Sequence, residues 1–204
     1  LDRCRRCHHA QLSTTVDRKA LFTNYSYRSG TSRTLDTYFS WLAERIDGEV
    51  KKQQTLAESQ KFKVLEIACN DGSQLNHFKR LGWETYGADP AANLVVYAKE
   101  NGHTVATGLW GAGKELLEDY DKLPAQVDAI LAQNVLAHVP YPVPFLAACV
   151  EKMHDKTLMY MQTSQCEMFA NGQFDTIYHE HLSFFSPSSF LALDQQLGLR
   201  IVRF

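Results

Sequence analysis

What the chain lacks narrows its class first. It has no excess of either charge: 21 lysines and arginines stand against 23 aspartates and glutamates, a formal net charge of −2. No basic surplus points to a nucleic acid, and no run of Lys and Arg points to an anionic membrane surface. No apolar stretch approaches the roughly twenty residues that span a bilayer. Internal repeats and low-complexity tracts are absent. Cysteine is sparse, and Cys4, Cys7, Cys69, Cys149 and Cys166 form an odd, scattered set. Such a set is a poor disulfide framework and indicates a reducing compartment. No signal peptide is visible, although the chain opens at Leu1 rather than Met, which leaves a targeting segment upstream open. The expectation is a cytoplasmic protein with no nucleic-acid or membrane partner.

What is present suits one α/β domain with a short extra segment: 204 residues, 45% of them hydrophobic. Residues 1–34 are polar, basic and irregular, with aromatic residues at Phe22, Tyr25 and Tyr27. Leu35, Tyr38, Phe39, Leu42 and Ile46 then recur at helical spacing behind Ser32 or Thr34 as N-cap. A polar stretch over 47–61 reads as the end of that helix and a linker. From Lys63 onward short apolar runs alternate with helical patterns. Strands are expected at 64–68, 85–88, 103–107, 127–132, 157–162 and 199–204. Helices are expected around Leu75, Phe78 and Leu81, then over 91–101 with Gly102 as its stop, 112–120, 143–153 and 187–197. Ser186-Pro187 supplies an N-cap and first residue for the last of these. Alternation of this kind implies a mostly parallel sheet with helices on both faces, the Rossmann-like arrangement. The expected organisation is an N-terminal segment over 1–34, a helix and linker over 35–62, and an α/β domain over 63–204.

The clearest local signal is V-L-E-I-A-C-N-D-G at 64–72, an apolar strand running into a turn of small residues. Ligands of doubly wound sheets lie beyond the carboxyl ends of the strands, at turns of this kind. An acid followed by small residues at every second position, here Glu66, Ala68, Asn70 and Gly72, is the pattern of an S-adenosylmethionine turn. Two of its usual glycines are replaced, by a small residue and by Asn, which tolerates positive φ. Asp89, in Gly87-Ala88-Asp89-Pro90, ends the next strand, where an acid can accept hydrogen bonds from both ribose hydroxyls. A dinucleotide would require G-x-G-x-x-G, and this turn holds only Gly72. Gln133 and Asn134 interrupt an apolar run at the end of the fourth strand, where the ligand cleft should lie. His138 follows them. A lone His on an apolar face is more often a packing residue than a catalytic one.

Several segments together resemble one family. They are C-R-R-C at 4–7, L-F-T-N-Y-S-Y-R-S-G-T-S at 21–32, the turn at 66–72, N-V-L-A-H-V at 134–139 and F-D-T-I-Y-H-E-H-L-S-F-F-S at 174–186. With these the chain resembles sugar C-methyltransferases that methylate C3 of dTDP-4-keto-deoxysugars. The resemblance implies a class I methyltransferase whose S-adenosylmethionine contacts Glu66, Ala68, Asn70, Asp71, Gly72, Asp89, Pro90 and Asn134. It implies His181 as the base, Glu180 beside it, and Tyr178 and Tyr27 hydrogen-bonded to the keto sugar or its enolate, with the Tyr27 segment closing as a lid. It also implies a structural zinc on two C-x-x-C pairs, of which Cys4 and Cys7 match the second. The first pair and a further C-terminal domain would fall outside these 204 residues. In an extended segment His179 and His181 point to opposite sides, so only one need face substrate. His179, Glu180 and His181 lack the i, i+4 spacing of a helical zinc motif. Two alternatives stay open: a methyltransferase for another small molecule, and an inactive methyltransferase-like scaffold with a protein partner.

Overall fold

The computed structural model describes residues 1–57, 59–163 and 167–204. Cys166 lies outside the described residues. The chain begins with β1 (Asp2–Arg3) and β2 (Ala10–Gln11), a small hairpin, followed by the short α1 (Arg18–Phe22). The long α2 (Arg33–Gln53) comes next, with the Ser32 side chain accepting from the Leu35 N–H as its cap. The alternating region then runs β3 (Lys63–Ile67), α3 (Ser73–Arg80), β4 (Glu84–Asp89), α4 (Ala92–Glu100) and β5 (Thr104–Thr107). It continues through β6 (Val127–Gln133), α5 (Pro142–Val150), β7 (Met153–Gln162) and α6 (Glu167–Ala170). β8 (Ser183–Phe184) and α7 (Pro187–Leu197) complete the elements.

Five strands form one sheet in the order β5-β4-β3-β6-β7, every neighbouring pair parallel. The strands are apolar on both faces, as a sheet covered by helices on both sides requires. One apolar cluster contains Leu65, Ile67, Ile130, Phe145 and Leu146; the other contains Ile46, Val50, Val64, Leu75, Phe78 and Leu131. α2 therefore buries its Leu42, Ala43, Ile46 and Val50 face in the same core as β3 and α3. The direction of strand succession reverses between β3 and β6, which opens a crevice at their carboxyl ends. Register aligns the three central strands there: Ile67 is level with both Ala88 and Ala132. The next residues, Ala68, Asp89 and Gln133, consequently share one edge of the sheet.

A second, three-stranded sheet orders β1-β2-β8, antiparallel throughout. It ties the N-terminal hairpin to the segment that carries His181. The Leu12 N–H donates to the Leu182 carbonyl, and the Leu182 N–H donates to the Ala137 carbonyl in the loop after β6.

Two expectations are corrected. Residues 112–120 are not a helix. They hold a 3-10 turn at Lys114–Leu116, a second begins at Tyr120, and Glu118 makes an isolated bridge to Thr107. Gly111 (φ 76°), Gly113 (φ 130°) and Asp119 (φ 63°) all take positive φ, which interrupts helical geometry. Residues 199–204 are not a strand. The Leu199 N–H returns to the Asp194 carbonyl at the end of α7 rather than joining a ladder, and Val202 and Phe204 stay exposed. An apolar run forms a strand only where a neighbour pairs its backbone groups.

Candidate active site

The turn between β3 and α3 is built on alternating positive φ. Ala68 (61°), Asn70 (52°) and Gly72 (77°) all adopt it. The left-handed conformation is thus kept at each position of the small-residue pattern, even where glycine is replaced. At Gly72 it cannot be replaced: a Cβ there would stand 2.7 Å from His103 Cδ2 and 3.1 Å from the Ala98 backbone. The Asp89 carboxylate accepts from the backbone N–H groups of Asn70 and Ala91, both at 2.8 Å. It thereby joins the end of β4 to the turn after β3. Burial raises its pKa, and these two N–H groups oppose that rise.

Above this turn lies a cavity of about 680 Å³, within the size range of small-ligand pockets. Of the expected cofactor residues, Glu66, Ala68, Asn70, Asp89, Pro90 and Asn134 line it; of the expected catalytic residues, Tyr27, Tyr178 and His181 do. Glu66 is buried, and burial, with Asp89 and Asp71 nearby, holds its pKa well above the usual carboxyl value. Its Oε2 has no hydrogen-bond partner, nor does Gln133 Oε1. Unpaired buried oxygens beside Asp89 suit a ligand that brings donors and positive charge, such as ribose hydroxyls and a sulfonium.

Asp71 and Gly72 do not line the cavity. The Asp71 carboxylate faces the N-terminal segment instead, accepting from Arg28 Nε at 2.9 Å and the Gly30 N–H at 3.1 Å. Burial pushes its pKa up, but bonds from Ser73, Arg28 and Gly30 prevail and the value falls below the usual range. Asn70 adds two bonds, accepting from the Ser29 N–H and donating to the Tyr27 carbonyl. The Asn93 side chain makes a reciprocal pair with the Tyr25 backbone. The Arg28 guanidinium also stacks 3.9 Å from the Tyr97 ring centroid. Residues 25–30 are therefore clasped across the β3–α3 turn and α4. This strap carries Tyr25 and Tyr27 to the cavity.

The 178–186 segment approaches from the other sheet. His181 Nδ1 lies 3.0 Å from the Thr176 carbonyl oxygen. A carbonyl only accepts, so Nδ1 donates, and in the neutral ring the lone pair sits on Nε2. The Tyr178 ring stands 4.4 Å from the His181 ring. Burial, then the Glu180 charge, raises the Tyr178 pKa. Glu180 does not line the cavity; its Oε1 lies 3.9 Å from His179 Nε2, and burial, then the Glu180 charge, raises the pKa of Tyr25. His138 packs edge-on between Phe22 (5.6 Å) and His181 (4.9 Å). Its Nδ1 is buried without a partner, and burial, with His181 close by, lowers its pKa to about 4.

Cys4 and Cys7 stand at the turn of the β1–β2 hairpin, away from the cavity. Among the described residues no group of three or more His, Cys, Asp and Glu side chains is placed to hold a metal ion. A closed zinc site takes four ligands, so these two cysteines by themselves do not form one.

Residues not anticipated from sequence also line the cavity: Arg18, Phe22, Tyr38 and Trp110. Only Phe22 had a visible signal, as an aromatic residue in a polar segment.

A family model described as a methyltransferase domain matches residues 33–203. The chain is 28% identical over 207 aligned residues to the C-methyltransferase NovU of Streptomyces niveus, covering 98% of this chain and 46% of that protein. The chain thus spans under half the length of that relative. A ubiquinone biosynthesis O-methyltransferase of Ruegeria is 28% identical over 82% of this chain and 71% of its own length. Among solved structures, magnesium protoporphyrin IX methyltransferase of Synechocystis with bound S-adenosylhomocysteine superposes with a TM-score of 0.55. It shows 16% identity over 85% of this chain and 75% of that one. At that identity the likeness concerns the fold. No helix among the described residues is long and apolar enough to cross a membrane.

Proposed function

The chain belongs to the methyltransferase-domain family, and from that premise we propose that it transfers a methyl group from S-adenosylmethionine to carbon of a nucleotide-linked keto sugar. One observation carries this reading. Tyr27, Tyr178 and His181, from two segments far apart in sequence, line the same cavity as Glu66, Ala68, Asn70 and Asp89. A scaffold has no need of that convergence. The relationship to a C-methyltransferase along nearly the whole chain agrees with it.

When bound, S-adenosylmethionine supplies an electrophilic methyl group on a sulfonium. Asp89 and Glu66 would hold it through its hydroxyls and positive charge, with Ala68, Asn70, Pro90 and Asn134 shaping the wall and Asp71 and Gly72 setting the turn. His181 Nε2 removes the proton from the carbon beside the ketone, and the electron pair moves onto the ketone oxygen. The Tyr27 and Tyr178 hydroxyls donate to that oxygen as its charge develops. Glu180 acts beside them through its charge on Tyr178. The strap over 25–30 excludes water and holds the acceptor in line. In the same reading Cys4 and Cys7 contribute two thiolates to a structural zinc, as one half of its site. The compartment proposed is the cytoplasm.

The test is calorimetric titration with S-adenosylhomocysteine, alongside turnover on a dTDP-4-keto-deoxysugar. Asp89→Ala is expected to abolish cofactor binding. His181→Ala is expected to retain it and lose turnover by about 10²-fold or more. Methyl transfer to oxygen instead of carbon, located in the product by NMR, would overturn the sugar C-methylation reading. A folded chain indifferent to the cofactor would overturn the enzyme reading.

A further inference from the structure

One charged group lining the cavity has no part in the scheme above. Arg18 opens α1 and is half-buried. Among the described residues lining the cavity it is the single lysine or arginine, while the acids there are Glu66 and Asp89. No ion pair is found for it among the described residues. Its neighbour Asp17 caps α1 instead, with Oδ1 accepting from the Lys19 N–H. Burial lowers the pKa of the guanidinium, and the opposing effects of Tyr141 and Asp17 do not cancel it. A half-buried guanidinium that makes no ion pair is only partly compensated by the charge of Asp17, and the cavity it lines is open to a ligand that brings an anion to it.

Its place in the cavity identifies which ligand. Arg18 and Phe22 are i, i+4 on α1, so they share a face about 5–6 Å apart. The Phe22 ring meets His138, and His138 meets His181. Arg18 is therefore connected to the proposed base and to the acceptor side. The buried carboxylates belong to the ends of β3 and β4 and take the cofactor. The cavity is acidic where a cationic cofactor would sit and basic at α1.

We propose that Arg18 is an anion-recognising residue of the acceptor site and binds the diphosphate of a nucleotide-linked substrate. This rests on the acceptor class proposed above. A planar guanidinium offers paired N–H donors that match phosphate oxygens, which a lysine cannot reproduce. The diphosphate would supply the ion pair that Arg18 lacks and orient the sugar ring toward His181.

The experiment is titration of the protein, saturated with S-adenosylhomocysteine, with thymidine diphosphate, thymidine and inorganic pyrophosphate. Wild type, Arg18→Gln and Arg18→Lys are compared. The expected result is thymidine diphosphate binding weakened at least about tenfold in Arg18→Gln and by less in Arg18→Lys, consistent with loss of a charge-assisted hydrogen bond. Thymidine binding and S-adenosylhomocysteine affinity should stay within about twofold of wild type. Unchanged diphosphate binding in Arg18→Gln would overturn the proposal, as would failure of wild type to bind either phosphate compound. Parallel loss of S-adenosylhomocysteine affinity would also overturn it, because Arg18 would then serve the cofactor or the fold. If pyrophosphate shows the Arg18 dependence but thymidine diphosphate binds no tighter than pyrophosphate, Arg18 remains an anion site and the nucleotide-linked acceptor is the reading that fails.

Discussion

Ala68 shows how one backbone angle connects sequence to site. With φ at 61° it occupies a region where a Cβ crowds the following carbonyl, at about 1–2 kcal/mol for an L-residue. Glycine would relieve that strain, although a freer unfolded chain offsets about 0.4–1 kcal/mol of the gain. Ala68→Gly is accordingly expected to stabilise the protein by about 0.5–1 kcal/mol, a rise of roughly 1–4 °C in Tm for a chain of this length. Scanning calorimetry checks this, and an unchanged or lower Tm would show that the Ala68 methyl group makes compensating contacts. Asn70 differs from Ala68 in kind. Its side chain makes strap contacts that glycine could not, so the departure from a glycine pattern has a structural use.

Among the elements, the strap over 25–30 is the one whose position is decided by side-chain bonds rather than by core packing. Tyr27 is half exposed, and no residue of the 3-10 turn Ser29–Thr31 or of α1 is buried. Few buried contacts and several polar ones make a segment able to open locally. Arg28→Ala removes both the bond to Asp71 and the stacking on Tyr97. Arg28 is 43% exposed in its side chain, so solvent screening moderates the loss to about 1 kcal/mol of local opening free energy. Hydrogen exchange should show faster exchange of the amides at 25–31, with those of α2 and α3 unchanged. Equal protection in both regions would mean that the strap is held by something other than this clasp.

At the scale of the whole molecule, two histidines with lowered pKa values make stability depend on acid. His103 lies behind the β3–α3 turn between Thr85 Oγ1 and Asn76 Oδ1, and burial, then Lys79, lowers its pKa to about 4. His138 is lowered to about 4 as well. Both values fall below the unfolded-chain value of about 6.5, so the unfolded state binds more protons between these limits. Stability is then fully present above about pH 6.5 and declines as pH falls toward about 4. Because the raised pKa values of Glu66 and Asp89 act in the opposite direction, the check is the difference between variants: urea midpoints measured from pH 7 to 4.5 should decline less in His103→Gln than in wild type. A slope untouched by that substitution would assign the acid sensitivity to other groups.

The strand–turn–helix signature at 64–72, Asp89 at the next strand end and the alternation of elements were legible because each depends on local chemistry: periodicity, caps and residues that accept positive φ. Five of the six expected strands form the sheet for that reason. The 199–204 run failed because pairing needs a neighbour that lies elsewhere in the chain. The same limit applies to the site. No spacing relates Tyr27 to Asn70, or Arg18 to His181, and only the resemblance in the 174–186 segment pointed to His181. Their meeting depends on the strand order that reverses at β3 and β6, and on the small sheet that pins the N-terminal hairpin to β8. Local preference selects each element, whereas long-range pairing and burial decide which side chains share a cavity.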